Sequence, residues 1–121
     1  MQIEFSKALY DPRWYDFETG AAVDEPAGAG AFLKIRPYPA SASQSIYDPE
    51  KGVVYDGKEL CKRFKFCLVD WRGVTGGDGK ALACSDEIKQ AVFDFNLGGI
   101  VPMVTRIIQQ LDGYLRGLEK N

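Results

Sequence analysis

The 121-residue chain contains no histidine. That removes the usual general base, the commonest metal ligand and the side chain that changes charge near neutral pH. Neither sign of charge prevails. Fifteen basic and seventeen acidic residues leave a net charge of −2, so there is no global electrostatic footprint for nucleic acid. Cysteine is scarce: Cys61, Cys67 and Cys84 form an odd set with no CxxC pair. Such a set reads as reduced, buried thiols and not as a disulfide framework. A zinc quartet would need a carboxylate to complete it, an uncommon arrangement. No stretch approaches the ~20 apolar residues of a membrane helix. The opening MQIEFSKALY lacks the charged start and long apolar run of a signal peptide. These absences lead to the expectation of a cytoplasmic, non-enzymatic protein without cofactor or metal, and without nucleic-acid or membrane partners.

What is present is ordinary globular material, 45% hydrophobic and 26% charged, in a length that fits one domain. The single domain is read as 1–121, with a loop-rich strand region over 1–55 and a helix, a hairpin and two C-terminal helices over 56–121. Residues 1–9 alternate through Ile3 and Phe5 as a short strand. Tyr10–Arg13 forms a turn around Pro12, and Trp14, Tyr15 and Phe17 follow. Thr19–Gly30 has no apolar period and reads as mobile, as do Pro37–Ser45. Between them Ala31–Arg36 is a second strand, ended by Pro37 and Pro39, which cannot donate to a ladder.

The second half is more regular. Asp56 followed by Glu59 has capping-box spacing, so a helix begins near Lys58 with Leu60, Cys61 and Phe64 on one face. The apolar run Phe64–Trp71 can continue that helix. A strand from about Lys65 is preferred, because Arg72–Gly79 reads as a hairpin turn that returns through Ala81–Ala83. Ser85, with Asp86 and Glu87, caps a helix carrying Ile88, Ala91, Val92 and Phe95, which Gly98 and Gly99 terminate. Pro102 fits the first turn of a last helix, whose stripe is Val104, Ile107, Ile108, Leu111, Leu115 and Leu118. Together these elements predict an α+β fold, a small and mainly antiparallel sheet with the C-terminal helices on one face.

Chemical motifs fail on spacing. Five residues separate Gly73 from Gly79 and Ala81 follows Lys80, so the glycine cluster is not a phosphate loop. Gly28 and Gly30 precede a strand where a dinucleotide fingerprint follows one. Asp78 and Asp86 do not match a calcium loop. No serine or cysteine has the histidine that usually activates it. A basic stretch, Lys58, Lys62, Arg63, Lys65 and Arg72, alternates with Phe64, Phe66 and Trp71, as single-strand binders do, but it is short and lies in a chain of balanced charge. Trp71 reads as core, and Trp14 as either a lid on the core or part of a partner surface.

The order Phe66-Cys67-Leu68-Val69-Asp70-Trp71-Arg72-Gly73-Val74, then Asp78-Gly79-Lys80, then the Ser85-Asp86-Glu87 cap and two terminal helices, resembles the tail assembly chaperones of long-tailed bacteriophages and prophages. The similarity covers roughly residues 56–121. It implies a non-enzymatic morphogenesis factor that binds the tape measure protein and helps recruit tail tube subunits in the bacterial cytoplasm. The alternatives are a connector or tail-completion protein retained in the virion, or a small enzyme working with carboxylates. A chaperone for a helical client needs apolar surface that can be hidden or shared. The candidates are Trp14, Tyr15 and Phe17, and the outer part of the last helix near Ile108, Leu111 and Leu115, the helix also offering a weak homo-oligomer contact.

Overall fold

The computed structural model describes residues 10–39, 46–50, 52–54 and 57–117, without the side chains of 46–48, 52–54 and 114–117. The strand expected over residues 1–9, the loop over 40–45 and Asp56 of the capping box lie outside the described residues. In chain order the elements are β1 (Arg13–Asp16), β2 (Ala22–Val23), β3 (Phe32–Ile35), β4 (Ile46–Asp48), β5 (Gly52–Val54), α1 (Gly57–Cys67), β6 (Leu68–Arg72), α2 (Asp86–Phe95), a single 3-10 turn (Leu97–Gly99) and α3 (Ile100–Gly117). Antiparallel pairing orders four strands as β2-β1-β3-β6, and β4 pairs β5 as a separate hairpin. The protein is α+β, with helices on one face of this sheet.

Strand alternation explains the layering. Tyr15, Leu33 and Trp71 are opposite one another across β1, β3 and β6, and with Ile35 they face the helices. Phe64 and Cys67 of α1, Val92 of α2 and Val104, Ile107 and Ile108 of α3 close the core over them. Trp14, Lys34 and Asp70 form the neighbouring row on the opposite face. A register shift between Lys34 and Ile35 leaves Val69 as an extra residue in β6.

Five expectations need correction. Residues 19–30 have no apolar period, yet they contain β2, held by Asp16 N–H to Ala21 O (2.9 Å) and Gly20 N–H to Asp16 O (2.8 Å). Pairing here comes from backbone and turn hydrogen bonds, which hydropathy does not register. In the next segment Tyr38 is only 6% exposed and anchors what reads as a loop.

The helix also runs past Lys65 to Cys67, where α1 passes into β6 with no connector. Lys89 makes this junction possible. Its buried ammonium donates to Lys65 O (2.7 Å) and Leu68 O (3.0 Å), satisfying carbonyls that the helix end leaves open. The expected hairpin return does not pair with β6. The turn closes on itself through Thr75 and Ala81, and β6 pairs with β3 instead. Leu82 still meets the strand, because its carbonyl accepts the Trp71 indole N–H at 2.8 Å. Lastly, α2 stops at Phe95, before the glycines, where Asn96 takes the left-handed conformation (φ 49°). Ser85 caps its start as expected, accepting from Ile88 N–H at 3.3 Å.

Candidate protein-binding groove

α1 and α3 lie side by side on the sheet, and a cleft of about 260 Å³ opens between them. Phe64 and Ile108 form its apolar floor and are almost fully buried, while Leu60 stands 40% exposed on the α1 wall. Thr105, Gln109 and Gly113, spaced by four on α3, make the opposite wall. Among the described residues nothing approaches within 4 Å of where a Cβ would stand on Gly113, so that wall is open to them.

The polar rim is Arg63 and Asp112, and Arg63 is held from behind by its buried i,i+4 partner Glu59, so one guanidinium meets two carboxylates. Arg63 Nε is 3.6 Å from Glu59 Oε1 and its Nη1 is 3.5 Å from Asp112 Oδ2. The same guanidinium lies 4.8 Å from the centroid of the Tyr38 ring. Glu59 is only 2% exposed, so these charges are largely removed from water. Such a set adds little net stability, but it fixes the direction of the side chains at the groove edge.

The expected contact residues divide among three places. Ile108 is on the groove floor. Leu111 is half-buried against the core next to it, and the side chain of Leu115 lies outside the described residues although its backbone continues α3. The aromatic cluster is split by strand alternation. Tyr15 points into the core, where burial raises its phenol above the ordinary value. Phe17 packs against that core, half-buried. Trp14 is on the outer face, with Lys34 and Arg72 cations each 5.5 Å from its ring.

The basic stretch is divided as well. Lys58, Lys62 and Lys65 line a second cleft, between α1 and α2, opposite Asp86, Gln90 and Asp94. Lys65 Nζ donates to Gln90 Oε1 at 3.0 Å there, so this cleft carries both signs of charge. Arg63 turns to the groove and Arg72 to Trp14.

Sequence reasoning missed Leu60, Arg63 and Asp112 as groove residues. Leu60 was expected on the buried face, and the Glu59/Arg63 spacing was the available signal. It also placed Phe95 on the apolar face of α2, whereas Phe95 is 75% exposed. The reason is geometric. α2 and the segment that follows meet at 103°, so α3 turns away before it can cover the last residue of α2.

The three thiols are free, and two of them are held protonated. Burial pushes Cys67 up to about 12 and Cys84 up to about 11, so neither is a thiolate nucleophile at neutral pH. Among the described residues no three thiol or carboxylate groups converge as metal ligands, and no single helix is long and apolar enough to cross a membrane. Comparison with known proteins found no family model that matches this chain, and no significantly similar curated protein or solved structure.

Proposed function

We propose that this protein is a non-enzymatic tail assembly chaperone that holds a helix of the phage tape measure protein in the α1–α3 groove and helps recruit tail tube subunits. The observation that carries the reading is the groove itself. It has an apolar floor, one exposed leucine, an open glycine and a fixed charged rim between two helices. That is the form of surface that accepts the apolar face of a third helix. The residue order from Phe66 to the Ser85 cap, which resembles the tail chaperones, supplies the client.

The test is co-expression with the tape measure protein of a long-tailed phage, followed by affinity capture. Wild-type protein should bring the client down, and Leu60→Asp should not, with its circular dichroism unchanged because Leu60 is on the surface. Capture that is indifferent to Leu60→Asp removes the groove from the mechanism. Mass spectrometry of purified virions tests the other half. Stoichiometric protein in the particle would favour a connector or tail-completion role.

A further inference from the structure

The most exposed large apolar side chain among the described residues is Phe95, at 75%, and Leu97 beside it is 48% exposed. Both belong to the elbow between α2 and α3. The elbow is rigidly specified: Asn96 is left-handed (φ 49°), and Gly98 (φ 65°) and Gly99 (φ 69°) adopt positive values that other residues avoid. Its shape leaves the phenyl and isobutyl groups outward, away from the core. Displayed this way, the two side chains are available to enter a complementary pocket.

The same chain carries the complement. The α1–α3 groove is apolar at its floor, and its volume of about 260 Å³ exceeds the ~150 Å³ that suffices for a benzene ring, leaving space for an aliphatic neighbour. Elbow and groove cannot meet within one molecule. From Ile100, where α3 begins beyond the elbow, to Gln109 the helix rises by about 14 Å at ~1.5 Å per residue.

We infer that the occupant of the groove in the protein on its own is a second copy of this chain, which inserts Phe95 and Leu97 of its elbow between α1 and α3. Knob and hole are different patches, so the contact is heterologous. Each copy that fills a neighbour's groove leaves its own groove open for the next, and copies join head to tail. A contact anchored by two side chains is at the small end of protein interfaces, so the assembly is weak and grows with concentration. This inference shares the groove with the proposal above but not its client, and it is tested on the purified protein alone.

The experiment is sedimentation velocity across a concentration series with two single variants and their mixture. Wild type should shift to larger species as concentration rises. Phe95→Asp, which spoils the knob, and Leu60→Asp, which spoils the hole, should each remain monomeric, both folded by circular dichroism because both sites are exposed. Mixed in equal amounts, they should form a dimer and nothing larger, because the Leu60→Asp knob fits the intact groove of Phe95→Asp and no further joining surface remains. A monomeric wild type overturns the inference. So does an elbow-to-elbow dimer, recognised by Leu60→Asp associating like wild type, and so does a mixture that stays monomeric. Should the Phe95→Asp variant be monomeric yet still capture the tail client, the two uses of the groove are separated. Loss of client capture with self-association intact would count against the client and not against the head-to-tail contact.

Discussion

Trp71 performs two tasks from one position. Its ring fills the centre of the core in the row formed by Tyr15 and Leu33, and its indole N–H holds the turn that follows β6 through Leu82 O at 2.8 Å. Trp71→Phe keeps most of the ring and leaves that carbonyl without its donor, so a loss of about 1–3 kcal/mol is expected, read as a lower urea midpoint. Cys67 offers a test by pH. Burial pushes its thiol from 9.0 up to about 12, so the folded state keeps a proton that the unfolded chain releases. Stability from this group is therefore complete below about pH 9 and falls progressively as pH rises toward 12. Cys84, raised by burial from 9.0 to about 11, acts in the same direction over the same range, and Tyr15 does so only from its ordinary 10.0 upward. Urea midpoints should be flat up to about pH 8.5 and then decline, and Cys67→Ala should make the first part of that decline shallower. Among the described glycines, Gly73 is the least open to change. Its φ is +75°, and a Cβ there would run into the backbone carbonyl of Gly30, which makes it the contact point between the end of β6 and the loop before β3.

The helix and strand boundaries were legible wherever a side chain marks them. Ser85 at the start of α2, Pro102 in the first turn of α3 and the prolines after β3 all act locally, and each element begins or ends near them. The junction from α1 to β6 was not legible, for a physical reason. The apolar run Phe64–Trp71 serves both periods, with Phe64 and Cys67 buried at helical spacing and Leu68 and Trp71 buried in the strand. No glycine or proline stands between them. What decides the boundary is Lys89, 21 residues beyond Leu68, whose ammonium satisfies the carbonyls at the break. Two variants separate local from distant control. Ser85→Ala removes a single cap bond and should cost about 0.5–2 kcal/mol. Lys89→Met retains an unbranched apolar stem but strands two carbonyls in the interior, and should cost more than the cap does. Thermal melts of the two proteins should fall in that order, and equal melts would mean that the lysine does not hold the break.

At the scale of the whole molecule, the core is one cluster shared between layers. Tyr15, Leu33, Ile35 and Trp71 come from the sheet, and Phe64, Val92, Val104, Ile107 and Ile108 come from all three helices. The α+β class was readable from hydrophobic period alone, but which face each aromatic takes was not, because Trp14 and Tyr15 differ only by strand parity. The groove was less legible still, since it needs α1 and α3 side by side, and only the buried end of the α3 stripe marks its floor. A cluster that joins every layer has an energetic consequence. Removing the helices would uncover the sheet residues they bury, so neither layer keeps an apolar core without the other. Unfolding should therefore be all-or-none. The two tryptophans, Trp14 on β1 and Trp71 on β6, report the sheet, and far-ultraviolet circular dichroism reports mainly the helices. Urea transitions followed by the two signals should superimpose. Below the concentrations at which copies associate, they should give one midpoint. If tryptophan fluorescence changed before the helical signal was lost, the layers would be separable, and the buried contacts of Leu33 and Ile107 would be holding less than their burial implies.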